Sequence, residues 1–88
     1  FIPENSTVTF EGFRFSNQRV MKMNATSTIV LKSDGELSNS PSSIIELNGG
    51  NIIGINNEEF INAGIINLSN GTNFNTHNIL LINSGIIN

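Results

Sequence analysis

The sequence predicts an all-β fold, a parallel β-solenoid of about four triangular coils with about 21 residues in each. Three observations carry that reading. The segment Phe60-Ile61-Asn62-Ala63-Gly64-Ile65-Ile66-Asn67 returns 21 residues later as Leu81-Ile82-Asn83-Ser84-Gly85-Ile86-Ile87-Asn88, with six of eight positions identical. Gly50, Asn57, Gly64, Gly71, Asn78 and Gly85 fall every seven residues. Each of these is a residue type that accepts positive φ, so three corners divide a coil. In residues 45–88, asparagine and isoleucine fill 23 of 44 positions. Branched isoleucine suits a pleated strand and asparagine suits a turn, so short strands alternating with corners are expected.

Taken in order, the chain begins less regularly than it continues. Residues 1–25 hold more charge and the clustered Phe10, Phe13 and Phe15, and they read as an atypical first coil or an N-terminal cap. Residues 26–88 read as the regular coils of the same single domain. The first residue, Phe1, is not methionine, which implies a processed or excised piece, and the domain is expected to be a fragment of a longer chain or a stacking subunit. Val8-Thr9-Phe10-Glu11 precedes Ile29-Val30-Leu31-Lys32 by one period. The Ile-Ile pair occurs at 44–45, 65–66 and 86–87, and a further step back reaches Lys22-Met23-Asn24-Ala25, where the match has decayed. Between corners lie Ile52-Ile53, Phe60-Ile61, Leu68, Phe74 and Ile79-Leu80-Leu81-Ile82, each too short for a helix and suited to a strand.

One such coil cannot bury its apolar side chains alone, whereas coils stacked ~4.8 Å apart pair every strand with those above and below. Like residues then form columns. Ile44, Ile65 and Ile86 are expected in one, Ile45, Ile66 and Ile87 in a second, with one of the two lining the interior. Leu47 with Leu68, Ile53 with Phe74, Phe60 with Leu81 and Ile61 with Ile82 are expected on the other faces. Asn62 over Asn83, beside the repeated Gly64 and Gly85, makes a polar ladder at a corner. A fixed period argues against an immunoglobulin-like sandwich, and the Leu-x-x-Leu-x-Leu pattern of a leucine-rich repeat is missing. This much isoleucine argues against disorder.

The bulk numbers narrow the function. The formal net charge is −3, and the only four cations, Arg14, Arg19, Lys22 and Lys32, lie in the first 32 residues. No basic surface is left to neutralise phosphates, so nucleic acid is not an expected partner. No apolar run approaches the ~18 residues of a membrane-spanning helix. With no cysteine, thiolate metal sites and disulfides are excluded.

The two near-identical segments, Ile61-Asn62-Ala63-Gly64-Ile65-Ile66-Asn67 and Ile82-Asn83-Ser84-Gly85-Ile86-Ile87-Asn88, resemble the Asn-x-Gly-x-Ile repeats of secreted bacterial adhesins of the filamentous haemagglutinin and autotransporter passenger type. The resemblance covers about residues 26–88, and similar low-complexity patterns occur in phage fibres and pectin-lyase-like proteins. It implies a right-handed β-helix used outside the cell or at its surface as a stalk, adhesin or filament.

Candidate sites are few. His77 has no neighbouring carboxylate in the sequence and reads as an exposed turn residue. Glu58-Glu59, with Asp34 or Glu46, could imitate the acidic cluster of a glycan-cleaving β-helix. Such chemistry needs charged groups of both kinds converging, and residues 45–88 hold three charges and no cation, so a solvated edge is the expected reading. Gly49-Gly50-Asn51 lacks the lysine and helix of a phosphate loop and reads as a corner. Thr7, Thr9 and Thr26-Ser27-Thr28 make too small an array to order water on ice. Four Asn-x-Ser/Thr sequons occur, at Asn5, Asn24, Asn67 and Asn70, where about three arise by chance.

The function expected is therefore structural: no catalytic residue, metal or cofactor, and a partner that is another copy stacked end to end, with a host surface or glycan as a further candidate. The alternative is a carbohydrate-binding or pectin-lyase-like glycan-processing β-helix, which usually presents Trp or Tyr, and this chain has neither.

Overall fold

A computed structural model describes residues 2–3, 5–24, 26–74 and 78–88. Twelve strands run in order: β1 (Thr7–Glu11), β2 (Arg14–Asn17), β3 (Val20–Met23), β4 (Thr28–Lys32), β5 (Glu36–Asn39), β6 (Ile44–Asn48), β7 (Asn51–Gly54), β8 (Glu58–Asn62), β9 (Ile65–Ser69), β10 (Asn73–Phe74), β11 (Ile79–Asn83) and β12 (Ile86–Ile87). They form three four-stranded sheets, β1-β4-β7-β10, β2-β5-β8-β11 and β3-β6-β9-β12. Every third strand returns to the same sheet and pairs in parallel with its predecessor. The chain is a parallel β-solenoid of about four triangular coils. Residues 7–23 carry β1–β3 and pair with the second coil across all three sheets.

Strand alternation decides what faces inward. In β6 and β9, Ile45 and Ile66 are fully buried while Ile44 and Ile65 are only half-buried. Ile44, Ile65 and Ile86 stack in register, as do Ile45, Ile66 and Ile87, and the second column is the interior one. Met21 extends that interior column into the first coil. Leu47 pairs with Leu68, Phe60 with Leu81 and Ile61 with Ile82. Met21, Ile45, Leu47, Phe60 and Ile66, with Ile29, Leu31, Leu37 and Ile52, fill the triangle as one continuous core. Each fully buried aliphatic contributes about 1.5–3 kcal/mol of transfer free energy.

Three expectations are corrected. Lys22-Met23 does not lie under Ser43-Ile44: Val20 pairs with Ile44 and Met21 with Ile45. The corner between β5 and β6 runs Ser40-Pro41-Ser42-Ser43, two residues longer than Ala63-Gly64 between β8 and β9, and it takes up two residues of the shift; the third comes from Ser33-Asp34-Gly35, one longer than Gly12-Phe13. Phe74 pairs with Ile52 and not with Ile53, because the corner Asn70-Gly71-Thr72 holds one residue more than Gly49-Gly50. Of the clustered phenylalanines, Phe13 and Phe15 are 53% and 37% exposed and flank the buried Phe10 ring at 6.0 Å edge-on and 5.1 Å stacked. Gly50, Asn57 and Gly71 have positive φ as expected, but Gly64 and Gly85 do not. A Cβ at Gly64 would meet the Ser43 carbonyl oxygen, and one at Gly85 the Gly64 carbonyl oxygen, so these two glycines serve close coil-to-coil approach.

Among the described residues three ion pairs tie the first coil to the second: Arg14 with Glu36, Lys22 with Glu46 at 3.7 Å, and Lys32 with Glu11 at 3.9 Å. All three join Cα partners on neighbouring strands.

Candidate functional site

The polar ladder expected at Asn62 and Asn83 is longer than those two residues. Asn17, Asn39, Asn62 and Asn83 close β2, β5, β8 and β11, and all four stack at one corner. Asn17, Asn39 and Asn62 are buried. Buried amides need partners, and each of these finds several. The Nδ2 of Asn17 donates to Asn39 Oδ1 at 2.9 Å, that of Asn39 to Asn62 Oδ1 at 2.8 Å, and that of Asn62 to Asn83 Oδ1 at 2.8 Å. Backbone groups fix the orientation of every rung. Asn39 Nδ2 lies 3.2 Å from the carbonyl oxygens of Ser43 and Ile65, and Asn62 Nδ2 lies 3.2 Å from those of Gly64 and Ile86. The amide N–H groups of Gly64 and Gly85 donate to Asn62 Oδ1 and Asn83 Oδ1, both at 3.2 Å. A flipped amide would set oxygen against carbonyl oxygen, so all rungs point the same way.

The neighbouring corner holds the carboxylates. Asp34, Gly35, Glu36, Asn57, Glu58 and Glu59 line a cleft of about 120 Å³. Glu58 is not the solvated edge expected of it: it is buried, and its Oε1 accepts from the Ile55 and Asn56 amides at 2.9 and 2.7 Å. Burial pushes its pKa up, but hydrogen bonds from the backbone of Asn56, Glu58, Ile55 and Asp34 outweigh that and hold it below the ordinary 4.5. A carboxylate held ionised by amides braces a corner and is poorly suited to delivering a proton. Asp34 joins Glu58 and Glu59 in this cleft, whereas Glu46 lies on another sheet beside Lys22. Glu36 is occupied by Arg14. Among the described residues, no group of three or more His, Asp or Glu is placed to hold a metal ion.

Gly49 and Gly50 form a corner with φ of 84° and 81°. Thr7 stacks on Thr28, but the column continues as Asn51 and Asn73, so threonine does not tile a face. His77 lies outside the described residues. No helix among the described residues is long and apolar enough to cross a membrane.

The ends of the stack differ from its middle. On the last coil Ile82, Ile86 and Ile87 are 41%, 54% and 36% exposed, although their counterparts one coil earlier are half-buried or buried. On the first coil Val20 and Phe15 are exposed, while Ile2 bridges to Met23 and covers that one position.

Asn17 and Asn39 escape a search at a fixed period, because the ladder steps by 22, 23 and 21 residues. Their signal is a shared place, the last inward residue before a corner. Comparison with family models, with curated proteins and with solved structures finds no match. The likeness to secreted adhesin repeats therefore stands on the quoted segments alone.

Proposed function

We propose that the chain is a non-catalytic structural module that holds a rigid extended shape by stacking coils, as part of a stalk, adhesin shaft or filament outside the cell or at its surface. The observation that carries this is the unbroken stacking of like residues, the Met21–Ile45–Ile66–Ile87 column inside and the Asn17–Asn39–Asn62–Asn83 ladder at one corner. Coils that repeat one register extend along a single axis with a constant cross-section, which suits a rigid shaft. The depressed pKa of Glu58 and the pairing of Arg14 with Glu36 support this reading over a glycan-processing one, since neither group is then free for acid–base work.

Sedimentation velocity over a concentration series, with electron microscopy of the same samples, tests it. The expected result is rod-like particles of one constant width whose length grows with concentration. A strictly monomeric species at millimolar concentration would overturn it.

A further inference from the structure

The chain turns from β6 into β7 through Asn48-Gly49, a dipeptide with chemistry of its own. Glycine has no Cβ, so its backbone nitrogen comes close to the Cγ of a preceding asparagine. Attack of that nitrogen on Cγ closes a five-membered succinimide ring. The surroundings of Asn48 act on the two reacting atoms in opposite ways.

The carbonyl is primed. Asn48 is exposed, so water reaches it, and its Oδ1 accepts from Ser69 Oγ at 3.3 Å and from Asn70 Nδ2. Donors aimed at an amide oxygen draw charge from Cγ and stabilise the oxyanion that forms when a nucleophile adds. The nucleophile is held back. Gly49 is buried, and its N–H donates to the Ser69 carbonyl at 2.9 Å and to Thr72 Oγ1 at 3.0 Å. To react, this amide must lose its proton and turn toward Cγ, and both bonds oppose that. Thr72 Oγ1 also lies 2.8 and 2.9 Å from the carbonyl oxygens of Leu47 and Ser69, which fixes it over the corner. All the clamping groups come from residues 69–72, one coil further on.

We propose that Asn48-Gly49 is a latent self-modification site, deamidated through a succinimide, and that the Thr72 hydroxyl is the gate that keeps it closed while the two coils are joined. In the reaction the Gly49 amide gives up its proton, the bond from Gly49 N to Asn48 Cγ forms, and the Cγ–Nδ2 bond breaks. The side-chain nitrogen leaves as ammonia and carries that proton away. Water then adds to either imide carbonyl and leaves aspartate or isoaspartate at position 48. The isoaspartate product lengthens the corner between β6 and β7 by one backbone carbon, so a transient opening of this junction is written permanently into the chain.

Ageing the protein at mildly alkaline pH, folded and in urea, tests the proposal. Cleavage after Glu46 and Glu58 releases residues 47–58, which contain Asn48 but not the second Asn-Gly pair, Asn70-Gly71, and fragment masses locate the change at position 48. Conversion is expected to be slow in the folded protein and much faster in urea; equal rates overturn the latent site. Thr72→Val keeps the shape of the side chain and removes its hydroxyl. Conversion at Asn48 about tenfold faster than in the parent is expected, the effect of one lost hydrogen bond, with hydrogen exchange at the Ile45 and Ile66 amides unchanged. Thr72→Ser retains the hydroxyl and is expected to keep the parent rate. No acceleration in Thr72→Val, or an equal rise in Thr72→Ser, overturns the gate. So does a rise accompanied by faster exchange at Ile45 and Ile66, since the coils have then separated as a whole.

Discussion

A methyl group added at Gly64 would strike the carbonyl oxygens of Ser43 and Ser40, whereas one added at Gly71 would meet nothing within 4 Å. The two glycines are needed for different reasons. Gly71 has φ of 70°, so alanine there costs about 1–2 kcal/mol of backbone strain. Gly64 has an ordinary φ but sits against the coil below, and alanine there must push two backbones apart, at a cost of about 3 kcal/mol or more. Urea unfolding should therefore rank Gly64→Ala well below Gly71→Ala in midpoint, and equal midpoints would refute the close-approach role. Glu58 gives a second prediction at this scale. Its folded pKa is depressed below 4.5, so the unfolded state binds more protons in that window, and stability rises with pH there. The advantage of the parent over Glu58→Gln is present above pH 4.5 and is lost as pH falls through the folded value; urea titrations of both proteins across that range would show the two midpoints converging.

At the scale of the strand, parity is the rule the chain never breaks. An odd insertion inside a strand would turn its whole inward set outward, so extra residues gather at corners. Ile66 and Ile65 are adjacent in β9, yet the first is wholly buried and the second only half. Ile66→Ala is expected to cost about 3–4 kcal/mol and Ile65→Ala about 1 kcal/mol, read from chemical denaturation. Comparable losses would mean that the assigned faces are wrong. The same rule explains what was legible beforehand. Where corners have equal length, between β8–β9 and β11–β12, the columns of Ile65, Ile66, Asn62 and Phe60 could be read directly from the repeat. Where Pro41-Ser42 or Thr72 lengthens a corner, a fixed period misplaces Met23 and Phe74 although their strands exist. The burial of Glu58 is not legible in the sequence because it depends on where the Ile55–Asn57 corner points its amides, which adjacent charges do not reveal.

At the scale of the molecule, the coils contact only their neighbours, so stability is close to a sum of coils and junctions. Those junctions are not alike. Among the described residues all three ion pairs bind the first coil to the second, and the later junctions rest on aliphatic columns and the amide ladder. Exposed pairs of this sort are worth at most about 1 kcal/mol each and weaken as added salt screens them. Ionic strength thus acts on a single storey of the tower: it slackens a light electrostatic latch beneath the second floor and leaves the oily floors above it untouched.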